Sequence, residues 1–450
     1  MFIDTRIMVK KYFIKTFGCQ MNVYDSNRMA NMLEEMGLKK ATGVKDADVV
    51  IFNTCHIREK AAEKVFSDLG RVYLIKQERA LEGKDTIIGV TGCVVQAEDK
   101  QILKRAPYVD FALGPLRYFR LKEVVEEIFN KREAQLLDTE FSAVSKFDYL
   151  PENKAEGGCS YLAIQEGCNN FCTYCVVPYT RGVEVSRPVE EILKEARRLV
   201  ATGSLELNLL GQNVNSYHGE DANGKERNLA YLLNKVAEID GLKRIRYTTS
   251  YPADVDDDLI RCHKELGKLM PYLHLPIQSG SDSVLKKMNR RHTRDDYLRV
   301  VEKLKEANPA IGMSSDFIVG FPGETDEDFE KTLDVVNRVK YIQAFSFKYS
   351  RRAGTPAAVM ENQIEEKVKK ERLQVLQDLL FDYQTKFNKA SVGKIMPVLF
   401  ETKGRHKGQL AGRTPYMQNL YAEADNSLLN KIVEVRVTEA STNSLGGEVL

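Results

Sequence analysis

Three apolar runs in the first hundred residues end the same way, and that ending constrains the fold more than any other feature of the chain. "YFIKTFGC", "VVIFNTC" and "IIGVTGC" pass from β-branched and aromatic residues through small or polar ones into a cysteine, at Cys19, Cys55 and Cys93. The intervals from Cys19 to Cys55 and from Cys55 to Cys93 are 36 and 38 residues, about one βαβ unit each. Between them, "DSNRMANMLEEMG" and "REKAAEKVFSDLGRVYLIKQERA" carry helical periodicity. This grammar predicts a parallel sheet over residues 10–130 with helices on its faces. Ligands of such sheets gather outside the carboxyl ends of the strands, so three cysteines at equivalent ends would converge on one point. The plain alternative is three small buried residues that happen to close strands.

Residues 131–157 are polar, end in Pro and paired Gly, and read as a linker. Strand–helix alternation resumes over 158–384, now six times, with candidate strands "YLAIQEG", "LELNLLGQ", "RIRYTTS", "YLHLPIQSG", "MSSDFIVGF" and "AFSFKYS". Each ends in polar or Gly-rich sequence, as the chemistry-bearing loops of α/β barrels do. Six units are short of eight, so the expectation is an open (β/α)6 partial barrel. Residues 385–450 change to short β-like runs with Gly and Pro turns, the pattern of a small all-β barrel. The fold class expected is therefore α/β with an appended β barrel.

The balance of 43% hydrophobic and 29% charged residues is that of a soluble globular chain, and its 450 residues suit two to three domains. No apolar stretch approaches the ~20 residues of a membrane span, and the N-terminus lacks a signal-peptide core, so a cytoplasmic location is expected. In a reducing compartment the 8 cysteines point to metal or catalysis rather than to disulfides. Net charge is +2, so any nucleic-acid footprint must be local.

"GCNNFCTYC" holds Cys168, Cys172 and Cys175 with C-x3-C-x2-C spacing after the first barrel strand. Three thiolates can bind three irons of a [4Fe–4S] cluster and leave the fourth iron open, which suits catalysis. A structural zinc site would need a fourth ligand, and neither Cys159 nor the histidines stand at zinc-finger spacing.

These residues, with Tyr174 before the last cysteine, resemble the radical S-adenosylmethionine (SAM) superfamily. Together with "CVVPYTRGVEVSRP", "LLGQNVNSY", "YLHLPIQSGSDSVLKKMNR", "SSDFIVGFPGETDEDF" and "AFSFKYSRRAGTPAA", they resemble its methylthiotransferase branch over nearly the whole chain. The resemblance implies an N-terminal methylthiotransferase domain, a radical SAM partial barrel and a C-terminal RNA-binding TRAM barrel. It implies a transferase with two [4Fe–4S] clusters, one on Cys168, Cys172 and Cys175 and an auxiliary one on Cys19, Cys55 and Cys93. One SAM would supply the methyl group and a second the radical, with sulfur supplied at the auxiliary cluster. The implied substrate is isopentenyladenosine beside the anticodon of tRNA. Implied partners are that anticodon stem-loop, an electron donor such as flavodoxin or ferredoxin, and an Fe–S carrier protein, for a monomer off the membrane. Two rivals are a methylthiotransferase acting on threonylcarbamoyl-adenosine or on a ribosomal protein, and a non-catalytic Fe–S protein that binds RNA or senses redox state.

Other residues carry two readings each. Gln212, Asn213, Ser250, Gln278, Ser279 and Gly280 end barrel strands, where they would contact SAM or substrate, or serve as turns and helix caps. Arg181 and Arg187 follow the cysteine loop and suit tRNA phosphate or a carboxylate. Arg290 and Arg291 lie in the basic run "KKMNRRHTR", a phosphate track or a charged helix end. Lys403, Arg405, Lys407 and Arg413 form an acid-free stretch on the β barrel, an RNA contact or a solvated hairpin. Cys159 and Cys262 receive no role.

Overall fold

The computed structural model describes residues 10–56, 59–131, 135–141 and 146–450. It divides into two compact units, residues up to Asn153 together with Val176–Val185, and Lys154–Cys175 together with Ser186–Leu450.

In the first unit, strands β1 (Lys11–Thr16), β2 (Lys39–Lys40), β3 (Val49–Thr54), β4 (Ile87–Gly92), β5 (Phe111–Leu113) and β6 (Leu136–Asp138) form one sheet. Its order is β2-β1-β3-β4-β5-β6 and every pairing is parallel. Strands β3 and β4 are buried along their whole length. Val49 and Ile51 pack to one side with Met29, Leu33 and Phe111, and Val50 and Phe52 to the other with Val65, Leu69 and Val90. A strand covered on both faces has no polar alternation to show, hence the unbroken apolar runs. Part of the expected linker is structural: β6 is the edge strand of this sheet, and Lys146 is buried in the same unit. Residues 132–134 and 142–145 of the expected linker lie outside the described residues.

The parallel strands of the second unit are, in chain order, β7 (Cys159–Ala163), β8 (Glu206–Leu210), β9 (Arg244–Tyr247), β10 (Tyr272–His274), β11 (Gly312–Val319) and β12 (Gln343–Lys348). They form two parallel blocks, β7-β8-β9 and β10-β11-β12. The bonds Ile245 N to Lys268 O (2.7 Å) and Met270 N to Ile245 O (3.0 Å) join the blocks. Leu207, Leu209, Ile245, Leu273, Met313 and Phe317 pack outward against the helices. The alternate positions put Glu206, Asn208, Arg246, His274, Ser314 and Asp316 on the opposite face.

Five strands, β13 (Ile395–Lys403), β14 (Gln409–Arg413), β15 (Asn419–Glu423), β16 (Ile432–Ala440) and β17 (Leu445–Val449), close the C-terminal barrel in the order β13-β14-β15-β17-β16. This barrel belongs to the same compact unit as the six-stranded one. Two buried arginines on β9 explain why. Arg244 donates to Pro397 O at 2.6 Å, and Arg246 to Thr414 O and Pro415 O at 2.9 and 2.8 Å. Glu206, 1% exposed, answers both charges. Leaving it unpaired would cost several kcal/mol, so the contact is strongly specified.

Candidate active site

The first cysteine site stands where the parallel sheet places it. Cys19 caps helix α1 (Gln20–Glu35) after β1, Cys55 follows β3, and Cys93 opens helix α2 (Cys93–Glu98) after β4. Gly18 and Gly92 precede two of them with φ of +103° and +94°. A Cβ on Gly18 would lie 2.1 Å from Cys55 Cβ, so the backbone before Cys19 sits directly against Cys55. The Cys19 and Cys55 thiols are hydrogen-bonded. That bond, with help from the Arg181 charge, brings the Cys19 thiol down to about 6 against the pull of burial. Burial pushes the Cys93 thiol up, and Arg181 opposes it. Three thiols from three strand ends beside a guanidinium suit three-thiolate ligation of a [4Fe–4S] cluster.

Arg181 belongs to this site by burial as well as by charge. It is 3% exposed and bonds Asn22 Oδ1 at 2.9 Å and Asp25 Oδ2 at 3.0 Å. The expectation that Arg181 meets tRNA is corrected: a buried guanidinium committed to internal acceptors cannot reach a phosphate. Arg187 is corrected for the same reason, since it bonds Ala163 O at 2.6 Å and Glu195 at 2.9 Å at 7% side-chain exposure.

The second cysteine site is one loop. Phe171 takes a left-handed φ of +46°, and Cys175 N bonds Cys172 O at 2.9 Å, which curls the segment back on itself. Asn170 Nδ2 approaches Cys168 Sγ at 3.5 Å, and Arg290 Nη1 stands 3.8 Å from Cys172 Sγ. Arg290 also bonds Pro276 O and stacks over Tyr251 at 4.2 Å. Its expected role at tRNA is corrected too, because the side chain is turned inward onto the cysteine loop. Arg291 remains on the surface, bonded to Asn170 and Asp254. Tyr174 sets its ring edge-on to Phe321 at 6.4 Å, and burial raises its hydroxyl well above the ordinary range. Among the described residues, no three His, Cys, Asp or Glu side chains are close enough to hold a single ion.

The polar strand ends divide into two groups. Gln212 accepts from Gly167 N and so braces the residue before Cys168. Asn213 bonds Asp254 at 2.8 Å, while its buried Oδ1 and the buried Ser250 Oγ find no partner among the described residues. Orphaned polar atoms at carboxyl strand ends fit a polar ligand such as SAM. Gln278 bends the chain at φ +76° and pairs through its backbone with Asp316 and Ile318. Ser279 and Gly280 both bond Thr332 in helix Asp326–Val339, and a Cβ on Gly280 would meet Lys331 O at 2.3 Å. Glu324 accepts from Gly320 N and Arg372, both at 2.8 Å, and braces its own loop.

Lys403, Arg405 and Lys407 are exposed around the β13–β14 turn, whereas Arg413 is half-buried and paired with Glu401 at 3.1 Å. Cys159 lies beside Glu206 and Asn208, where burial raises its thiol, and Cys262 is buried against Ala230. Sequence reading missed Asn22, Asp25 and Lys146 altogether. The available signal was polar residues at helical spacing after Cys19 on the face of α1 that must be buried.

Comparisons with known proteins agree with this layout. Residues 162–336 match the radical SAM superfamily, 11–114 the uncharacterized protein family UPF0004, and 389–450 the TRAM domain. A tRNA-2-methylthio-N(6)-dimethylallyladenosine synthase of Rickettsia canadensis is 51% identical over 445 residues, covering 98% of this chain and 100% of its own. The synthase of the same name from Rickettsia felis is 52% identical over 446 residues, with the same coverage. Among solved structures, a radical SAM methyltransferase from Kitasatospora setae, with cobalamin and a [4Fe–4S] cluster bound, superposes with a TM-score of 0.56. It is 14% identical, covers 78% of this chain and 77% of its own, and is evidence of shared fold.

Proposed function

The chain belongs to the tRNA-2-methylthio-N(6)-dimethylallyladenosine synthase family of radical SAM proteins, and we propose that it methylthiolates isopentenyladenosine next to the anticodon of tRNA. The observation that carries this reading is the doubled cysteine triad, each one ligand short of a closed site. When bound, two [4Fe–4S] clusters and SAM supply the radical, methyl and sulfur chemistry, with one SAM as methyl source and another as radical source. The protein's part is to hold and to shield. Cys168, Cys172 and Cys175 hold one cluster, and Cys19, Cys55 and Cys93 the other. Gln212 fixes the start of the first cysteine loop through Gly167. Asn213 Oδ1 and Ser250 Oγ offer acceptors and a donor to SAM. Tyr174 and Phe321 wall the loop with aromatic surface that excludes water.

Lys403, Arg405 and Lys407 supply charge for the RNA backbone from the TRAM barrel. Electrons come from a small low-potential carrier such as flavodoxin or ferredoxin, and an Fe–S carrier protein rebuilds the auxiliary cluster. The reaction is assigned to the cytoplasm and to a monomer. No helix among the described residues is long and apolar enough to cross a membrane.

Nucleoside mass spectrometry of tRNA from a deletion strain, with and without this gene, tests the reading. The expected outcome is isopentenyladenosine in the deletion and its 2-methylthio derivative on complementation. A complemented strain that accumulates a methylthiolated threonylcarbamoyl-adenosine instead would transfer the activity to the rival substrate.

A further inference from the structure

Helix α1 buries polar residues where an ordinary amphipathic helix buries apolar ones. Asn22, Asp25 and Ser26 follow Cys19 on its inner face at 0%, 2% and 6% exposure. Asn22 is the hub. Its Nδ2 donates to Phe17 O at 2.8 Å and to Thr54 O at 2.9 Å, the carbonyls on the approaches to Cys19 and to Cys55. Its Oδ1 accepts from Arg181 Nη2 at 2.9 Å. Arg181 also pairs with Asp25 at 3.0 Å, and Asp25 takes a second bond from Lys146 at 3.0 Å. The Arg181 guanidinium is hydrogen-bonded to the Cys93 thiol as well. One arginine thus touches, directly or through Asn22, the loops of all three cysteines. It comes from helix Val177–Arg181, which begins two residues after Cys175.

Of the charged side chains, Arg181 and Asp25 act on Cys19 and Cys93, and Lys146 offsets Asp25 from its other oxygen. Buried charges at this range are weakly screened. A cluster on three thiolates becomes more negative when it takes up an electron, and a fixed cation nearby favours that state. Resting on the reading above, we propose that Arg181, held by Asp25 and Asn22, is a positioning residue that sets the reduction potential of the auxiliary [4Fe–4S] cluster on Cys19, Cys55 and Cys93.

The experiment uses the full chain with Cys168, Cys172 and Cys175 replaced by Ala, so that only the auxiliary cluster is read. After anaerobic reconstitution, iron and sulfide content verifies the cluster, and a dithionite titration followed by electron paramagnetic resonance gives its one-electron midpoint. Arg181→Gln should make reduction less favourable by about tenfold or more, ~59 mV for one electron. Asp25→Asn should move the midpoint the opposite way, and Arg181→Lys should stay near the parent. Opposite shifts from two neighbours in one network are not what a merely structural role produces. If Arg181→Gln loses its iron, Asp25→Asn alone decides, and an unshifted midpoint there overturns the proposal. Equal midpoints in all variants with full iron content overturn it too, as does loss of iron from all three. A parent chain that takes up no cluster at these cysteines fails at the earlier step, the assignment of the auxiliary cluster itself.

Discussion

The two cysteine triads are built by opposite routes. Cys168, Cys172 and Cys175 share one loop that curls back on itself, with Phe171 in the left-handed region and a Cys175-to-Cys172 backbone bond. Cys19, Cys55 and Cys93 come from three strands and meet only because the sheet is parallel and in register. Each site has an arginine against sulfur, but the charges are treated differently. Arg181 is answered by buried Asp25, whereas Arg290 pairs with no carboxylate among the described residues and rests on Pro276 O and the Tyr251 ring. A local loop carries its own geometry; a site assembled across a sheet needs a buried polar network to hold its parts.

The largest test of that difference is replacement of each triad. Cys168, Cys172 and Cys175 to Ala should abolish release of 5′-deoxyadenosine from SAM while leaving about one cluster per chain. Cys19, Cys55 and Cys93 to Ala should keep SAM cleavage and yield no methylthio nucleoside. Product from that second variant would remove the auxiliary site from the reaction.

Next in size is the cost of each arginine. Arg181→Met takes one of two cations from a carboxylate that is 2% exposed, and urea unfolding should show a loss of about 3 kcal/mol. Arg290→Met breaks no ion pair among the described residues and should cost less, ~1–2 kcal/mol. Equal losses would mean that the Asp25 network is not what distinguishes the two sites.

The uncompensated Arg290 charge also reaches His292. Burial first, and then Arg290, bring His292 down to about 3, from an ordinary value near 6.5. The folded state then keeps this ring neutral while the unfolded state takes up a proton below pH ~6.5. Its contribution is complete above that pH and is lost as pH falls toward 3, with a slope of up to ~1.4 kcal/mol per unit. Chemical unfolding between pH 7 and 4 should show this loss reduced in Arg290→Gln, with burial still supplying the larger part of it.

The last pair of tests concerns backbone. Gly18→Ala puts a methyl 2.1 Å from Cys55 Cβ at a φ of +103°, and should cost ~1–3 kcal/mol and lower the iron content of the auxiliary site. Phe171→Gly, at 46% exposure and φ +46°, should change stability by under ~1 kcal/mol, which a thermal melt resolves.

Much of the architecture was legible because it rests on short-range pattern. All six barrel strands and the three cysteine-ended strands lie where apolar runs and polar endings put them. The edge strand Leu136–Asp138 was hidden, since three residues in a polar stretch have too little period to stand out and are held by pairing with β5. Arg181, Arg187 and Arg290 were misread for a related reason. A charged side chain reads as surface by default, and only the partner that neutralises or cradles it reveals burial, here Asp25, Glu195 and Pro276 O.

By itself, then, the chain's spelling determined the parallel sheet and the open barrel and singled out six cysteines as candidate ligands, because strand period and cysteine spacing are written locally. Tertiary structure alone decided which charged residues belong to the sites. Asp25 lies more than a hundred residues before Lys146 and Arg181, and the energy that unites them, a buried carboxylate seeking cations, exists only once water has been excluded.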